Sequence, residues 1–550
     1  MTALRELRAL WHVLPRGETG AFVAYVLLSV GAALAGSLSA VFLVPLVHPG
    51  GHVSPVEGVQ ANALWFAVSG IVFALMRWQS SRIGARQVGR LIHHLRTGVH
   101  ARLLDAPLPE LAHLRSAEIA NVLTHNGESL AQAFRAMQQI AVTAITSLAS
   151  FGFAIGISPV LMLTVPFVLV LVLATSRLAV RELSAVGKRY VADYTSLFWH
   201  SEDFPRRLRH IRSFGREAAE RDSYGDVSAS LADGYRRQLE LVASSRVVIE
   251  LAAAVGIPAM FLLAQRWHGV SSESLIAVGL LLGRLLPYLM STREAFQQWR
   301  AAMPALALWQ RYMGLHAGAE NGGAAVASPG ELLIRRLRIR PPADGLRVEG
   351  MRLAAGELTL VSGDSGIGKS SLVDVLSGMV PAECFDAEHD GVPIDAAAYR
   401  ALIARGAYVC QNVRPWQRTV RECLAWAAPE ASEAQMREAL ADVGLARRLD
   451  AGGKALETTL NDADGRLSGG ELQRLLVAQV ILRRPVLAIL DEATSALDAA
   501  SELAVLGVLR RRLPRSILLV VSHRPAVAAL ADQVVRIDTD GVAVTGSLTA

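Results

Sequence analysis

At 550 residues the chain is too long for a single hydrophobic core, so at least two bodies are expected. Its composition is 52% hydrophobic and only 19% charged, with a mean hydropathy of +0.33, which excludes an ordinary soluble protein and places part of the chain in a membrane. The net charge is +6, but no stacking motif or basic recognition helix accompanies it, so no nucleic-acid partner is implied.

In chain order, six stretches approach the roughly 20 apolar residues that a bilayer-spanning helix needs. They lie near 19–47, 59–78, 136–157, 159–176, 247–266 and 272–292. Arg5, Arg8 and Arg16 precede the first, but its apolar core is long and Pro45 ends it without a small-residue cleavage site, so it reads as a retained helix. Residues 77–135 carry Arg77, Arg82, Arg86, Arg90, Arg96, Arg102, Arg115 and Arg135; residues 176–246 are richer still, while His48 to Gln60 has no Lys or Arg. Positive charge stays on the cytoplasmic side, which predicts two long cytoplasmic loops, a cytoplasmic N-terminus and, with an even number of spans, a cytoplasmic C-terminal half. Arg284, near the middle of the sixth span, costs about 2.5–3.5 kcal/mol on insertion scales and is expected to face a cavity or a partner. Glu250 lies closer to the cytoplasmic end of the fifth.

Ala317 to Gly330, rich in Gly and Ala with Asn321 and Pro329, reads as a linker at 317–330 between a membrane domain at 1–316 and a soluble α/β domain at 331–550. In the latter, the apolar run Leu358–Val361 leads into Gly363, Asp364, Ser365, Gly366, Ile367, Gly368, Lys369 and Ser370, a complete G-x-x-x-x-G-K-[ST] loop, and then into a helix from Ser371. Glycines there allow consecutive backbone N–H groups to face an anion. Lys369 brings positive charge to the β- and γ-phosphates, and Ser370 offers a hydroxyl to Mg²⁺. Downstream, Val486–Leu490 reads as a buried parallel strand that delivers Asp491 and Glu492 at its C-terminal end, where ligands of open α/β sheets collect. Asp491 can hold Mg²⁺ through its water shell, and Glu492 can orient the attacking water. Cys384, Cys410 and Cys423 show no paired spacing, so buried packing is expected rather than a disulfide or zinc site. His93 and His94 belong to a solvated helical face.

Ser468, Gly469, Gly470 and Glu471 open another predicted helix, a second anion site without a lysine of its own. With Leu467 they precede Gln473 and Arg474, and further on come Ser495-Ala496-Leu497-Asp498 and the lone His523 after the run Ile517–Val521. In this order the motifs resemble the ATP-binding cassette superfamily over nearly all of 331–546. The resemblance makes 363–370 the Walker A motif, Gln411 the Q-loop, 467–471 the signature, Asp491 the end of Walker B, 495–498 the D-loop and His523 the H-loop. It implies ATP and Mg²⁺ as cofactors, Glu492, His523 and Gln411 as catalytic, and Ser370, Gln411 and Asp491 as metal-holding. Gly363 to Ser371, Ser468 to Glu471 and Asp498 would contact nucleotide, with two copies enclosing two ATP molecules head to tail.

The membrane half resembles the six-helix half-transporters of the exporter fold. Leu95-Arg96-Thr97 through Leu103-Leu104-Asp105-Ala106-Pro107-Leu108, then Ala117-Glu118-Ile119, follows the first coupling-helix region, and Ile211-Arg212-Ser213-Phe214-Gly215-Arg216-Glu217 follows the second. Three departures stand out. Leu337 to Pro341 has no aromatic ring for adenine, leaving Arg340 to stack in its place. Glu471 stands where many members have glutamine, and the chain stops at Ala550, soon after its last strand-like run. The resemblance implies a homodimeric exporter in the cytoplasmic membrane, moving a peptide, lipid or amphipathic small molecule by alternating access. A siderophore-type importer on the same fold and a heterodimer subunit remain open alternatives.

Overall fold

The computed structural model describes residues 17–47, 56–157, 204–264, 272–316, 330–339, 346–364, 366–411, 413–460, 467–538 and 542–547, with residues 189, 193, 196 and 197 apart from these. Within the helices between 204 and 301 some side chains, that of Arg284 among them, lie outside the description, as do Arg340, Ser365, the span expected at 159–176 and most of the 317–330 linker. The chain divides into two compact units, the first made of Met1–Ala106 and Glu110–His316 and the second of Pro107–Pro109 and Ala317–Ala550.

The first unit is helical: α1 (Glu18–Val47), α2 (Val59–Asp105), α3 (Gly127–Ile157), α4 (Glu217–Ala264), α5 (Ser272–Ala301) and α6 (Met303–Met313), with short turns of helix between. Among the described residues, three helices, the first, the second and the one ending at Ile157, are long and apolar enough to cross a membrane. A lipid solvent forces helix, because each backbone N–H and C=O must find its partner within the segment. Leu64, Ile71 and Leu75 on α2, Leu27 on α1 and Leu148 on α3 are exposed, an arrangement that hydrocarbon solvates and water does not. The helices are joined by polar contacts between closely packed backbones. The Gln138 amide donates to Gln87 Oε1 at 2.9 Å, Tyr25 Oη donates to the Gln138 carbonyl at 3.3 Å, and the Oγ atoms of Ser37 and Ser150 lie 3.4 Å apart. Gly84 permits the approach, since a Cβ there would fall 3.1 Å from Tyr25 Cε2 and 3.2 Å from Gln138 Oε1.

The stretches expected between the spans on the cytoplasmic side are mostly helical where they are described. The α2 helix has 47 residues, about 70 Å at ~1.5 Å per residue, and continues unbroken through Arg82, Arg86, Arg90, Arg96 and Arg102. Helix α4, with 48 residues, likewise takes in the end of the second basic stretch, with Arg221, Arg236, Arg237 and Arg246. A charge-rich sequence without Pro or paired Gly extends a helix as readily as it leaves one. The second coupling motif is where the chain does turn, Gly215 at φ 60 separating the helix Phe204–Ser213 from α4 and leaving Phe214 exposed.

The second unit contains a ten-stranded sheet: β1 (Glu331–Arg338), β2 (Arg347–Ala354), β3 (Leu358–Ser362), β4 (Cys384–His389), β5 (Val392–Ile394), β6 (Ala407–Cys410), β7 (Leu487–Asp491), β8 (Ile517–Val521), β9 (Gln533–Ile537) and β10 (Val542–Ser547). Their spatial order is β5-β4-β1-β2-β10-β9-β3-β8-β7-β6. Strands β6, β7, β8, β3 and β9 form a parallel block, and β1, β2, β4 and β5 pair antiparallel on the flank. The central strands β3, β7 and β8 are buried on both faces, as their apolar runs require. Ala488, Leu490, Leu518 and Val520 join one core with Leu475 and Leu506, while Ile489, Leu519 and Val521 join the other with Leu372 and Val373. Helices α7 (Lys369–Leu376), α8 (Val420–Ala427), α9 (Gly469–Arg483) and α10 (Ala499–Arg512) complete the parts that concern the site.

Candidate nucleotide site and membrane cavity

Strand β3 ends at Ser362 and the chain turns through Gly363, Gly366 and Gly368 at φ 151, 82 and 104. At Gly363 a Cβ would fall 2.9 Å from the Ile537 carbonyl oxygen, so only glycine fits the close approach to β9. Gly368 caps α7 in the left-handed conformation. Lys369 is 7% exposed, and its Nζ donates to the carbonyls of Gly363 and Asp364 at 3.0 and 2.8 Å, so the ammonium sits in the curl of the loop. Ser370 and Ser371 open α7, the first exposed. A cradle of glycines, a helix start and a buried cation fit an oligophosphate.

Register places the other groups beside it. Cys410 at the end of β6 pairs with Asp491 at the end of β7, so Gln411 leaves the sheet next to Asp491. Tyr408 Oη donates to Asp491 Oδ2 at 3.3 Å. Burial pushes the Tyr408 hydroxyl well above its usual range, and the charges of Asp491 and Asp374 push it further. The Asp374 carboxyl, one turn of α7 beyond Ser370, is raised by burial first and by Asp491 second. Two carboxylates that repel one another near an exposed hydroxyl form an oxygen donor set that a hard cation relieves, which fits Mg²⁺. Among the described residues no cluster of three or more acidic, His or Cys ligands occurs.

Glu492 follows Asp491 at φ 50, a conformation that costs a non-glycine residue about 1–3 kcal/mol and that is found where function fixes the backbone. Its N–H donates to the Val521 carbonyl at 3.1 Å, and its Oε1 lies 3.0 Å from Nε2 of His523, just past β8. The strand ends thus gather Gln411, Asp491, Glu492 and His523 at the edge of the sheet where β3 enters the glycine loop.

Ser468 and Asp498 belong to a second group. Ser468 caps α9 in a reciprocal box: Glu471 N–H donates to Ser468 Oγ at 3.3 Å and Ser468 N–H to Glu471 Oε2 at 2.7 Å. Arg448 Nε lies 3.3 Å from Glu471 Oε1. A Cβ at Gly470 would meet Leu497 Cδ2 at 3.2 Å, so Gly469 and Gly470 let the start of α9 lie against the D-loop. Asp498 caps α10, and the hydrogen bond from Ser501 N–H holds its carboxyl below the usual range. The sequence did not single out Tyr408, Asp374 or Arg448. The first is visible only through strand register, the second through its i+4 spacing from Ser370, and the third only through folding. Size does not mark this site: a cavity of about 940 Å³, with Arg405, Arg484 and Arg515 in its lining, lies at the opposite, N-terminal ends of β6, β7 and β8.

The first unit holds a different feature. A cavity of about 570 Å³ lies among α1, α2, α3 and α5, lined by Gly36, Ser39, Phe73, Arg77, Gln139, Tyr288 and Ser291. Arg77 donates to Tyr288 Oη at 3.0 Å, and its guanidinium carbon is 5.8 Å from the Phe73 ring centre and 5.9 Å from that of Tyr288. A neighbouring cavity of about 570 Å³ shares Gln139 and Ser291 and adds Arg135, Glu294 and Gln298.

Two family models match this chain, one described as ABC transporter over residues 347–495 and one as ABC transporter transmembrane region over residues 21–281. The chain belongs to the ABC transporter family. The transporter therefore binds ATP and is an ATPase whose hydrolysis is coupled to transport. It is 23% identical over 563 positions to the ATP-dependent lipid A-core flippase of Photobacterium profundum, covering 98% of this chain and 94% of that protein. It is 26% identical to the protein of the same name from a Polaromonas species, over 81% of this chain and 77% of the relative. A solved bacterial Atm1-family ABC exporter with ATP bound superposes with a TM-score of 0.78 at 21% identity, over 96% of this chain and 94% of that one, and so shares its fold.

Proposed function

We propose that the transporter works as a homodimer in the cytoplasmic membrane and carries an amphipathic lipid with an anionic headgroup outward. The cavity around Arg77 carries this reading. A guanidinium held between two rings, with Gln139, Ser39 and Ser291 around it, suits a phosphate- or carboxylate-bearing headgroup, and the apolar exposure of α1 to α3 suits acyl chains. Arg77 lies about 27 Å along the helix from Val59, near the far end of a ~30 Å hydrocarbon core. With the basic helix extensions in the cytoplasm, that end is the inner leaflet. The lipid-flippase relatives favour lipid over peptide cargo.

In the ATPase unit, the Gly363 to Ser371 loop holds the phosphates and Lys369 moves its ammonium from the loop carbonyls to them. Ser370, Asp491 and Gln411 would hold Mg²⁺, which would neutralise phosphate charge when bound. Glu492 orients the attacking water and His523 fixes Glu492. Ser468 and the start of α9 cover the nucleotide of a second copy, so two chains make two complete sites. Arg340 is assigned the adenine contact.

Flux in sealed proteoliposomes tests the proposal. With ATPase domains outside, ATP should move a fluorescent phosphate-headed lipid to the luminal leaflet. Arg77→Ala should slow this by about 10-fold, consistent with one charge-assisted bond, and Arg77→Lys should retain part of it. Movement in the opposite direction, or stimulation of ATP hydrolysis by short peptides but not by lipid, overturns it.

A further inference from the structure

Glu502 lies one turn into α10, its N–H donating to the Asp498 carbonyl at 2.9 Å, and its side chain is 2% exposed. An ionised carboxylate persists at such depth only when its oxygens are paired. Thr494 Oγ1 donates to its Oε1 at 2.7 Å, Ser522 Oγ lies 3.4 Å from the same oxygen, and Arg524 donates to Oε2 at 2.9 Å. The other amino group of Arg524 donates to the Ser495 carbonyl at 3.0 Å.

These partners come from two stretches of known position. Thr494 and Ser495 follow Glu492 into the D-loop, and Ser522 and Arg524 flank His523 on either side. The D-loop is also held from α9, where Gln473 Oε1 accepts from the Ala496 N–H at 2.8 Å and its amide lies 3.4 Å from Ser495 Oγ. Rotation of the D-loop therefore pulls on Arg524, and through it on the backbone that carries His523.

We propose that Glu502 is a positioning residue for ATP hydrolysis, holding Arg524 so that His523 stays on Glu492 while the D-loop keeps its place. Glu502 is enclosed by Thr494, Ser522 and Arg524 and is 2% exposed. It acts because a fixed anion sets where the bidentate guanidinium sits, and the guanidinium ties the two loops together. The proposal rests on the assignment of Glu492 and His523 to hydrolysis.

The test measures kcat, KM for ATP and fluorescent-nucleotide affinity for the full transporter in nanodiscs. Glu502→Gln keeps the size and the Thr494 contact but loses the ion pair; Arg524→Lys keeps the charge but cannot reach both partners. Each should lower kcat by about 10-fold or more with KM and nucleotide affinity within about twofold of the parent. The double variant should be no slower than the slower single one, since the residues act as a unit. Parent-like kcat in both single variants overturns the proposal, as does a loss of nucleotide affinity equal to the loss of kcat. If Glu502→Gln does not fold, Arg524→Lys decides alone, its side chain being 34% exposed. Glu492→Gln, run in parallel, separates the levels: normal turnover there refutes the hydrolytic assignment, whereas inactive Glu492→Gln beside parent-like Glu502→Gln and Arg524→Lys refutes only the role of Glu502.

Discussion

Glu471 puts a negative charge at a helix start that the proposed dimer uses to receive phosphate, and the structure shows how that charge is contained. Its carboxylate closes the cap on Ser468 and faces Arg448, whose side chain is 55% exposed. An exposed ion pair is worth about 0.2–1 kcal/mol, so the compensation is modest. Arg448→Gln should raise KM for ATP by roughly two- to fivefold, and adding Glu471→Gln, which still closes the cap, should bring it back. An ATP titration of the parent and both variants checks this; an unrescued double variant assigns Arg448 another role. Cys423 gives a second residue-scale expectation. Burial pushes its thiol up to about 12, and the Gln479 amide lies 3.2 Å from its Sγ. Held neutral in the fold, this thiol favours the folded state fully below pH 9, and that contribution drains away as pH rises toward 12. At pH 8.5 a maleimide should therefore modify Cys384 and Cys410 well before Cys423, as peptide mapping can show. Much of the site was legible residue by residue, because phosphate loops need glycine, lysine and hydroxyl at set intervals. Glu502 and Arg524 were not, because an i+4 helical position and a loop arginine acquire meaning only when folding brings them together.

Elements were legible to the extent that their environment was uniform. Strands β3, β7 and β8 are apolar on both faces and read directly, whereas β4 is mostly half-buried, β5 is mostly exposed, and neither carries such a run. The basic extensions of α2 and α4 were legible as cytoplasmic from their charge but not as continuations of the spanning helices, because hydropathy marks only where an apolar segment ends, while long charged side chains carry a helix on. Packing inside the membrane unit depends on a residue with no side chain. Gly84→Leu must push α2 away from Tyr25 on α1 and Gln138 on α3, and overpacking of this kind costs about 1–3 kcal/mol. Thermal unfolding in detergent should show the transition of the membrane unit shifted downward, with nucleotide affinity unchanged. An unchanged transition would mean that the helices adjust without loss.

For the whole molecule, composite sites predict a property that no single chain has. If Ser468 of each copy completes the Walker loop of the other, one Lys369→Ala chain impairs the dimer it joins. Purified parent and Lys369→Ala chains, mixed in detergent and reconstituted together, should then lose activity faster than in proportion to the mutant fraction. A strictly proportional loss points to independent subunits. The length of α2 matters at this scale as well. A rigid rod of about 70 Å has leverage: a swing of ~10° shifts a point ~40 Å from the pivot by about 7 Å. It also has phase. Leu91, Leu95 and Val99 make a buried stripe far along the rod, and one residue inserted nearer the membrane turns that stripe by about 100° without altering any contact of its own. The helix therefore works as a gear whose tooth angle is set by residue count, while the identity of its side chains sets only how firmly it engages.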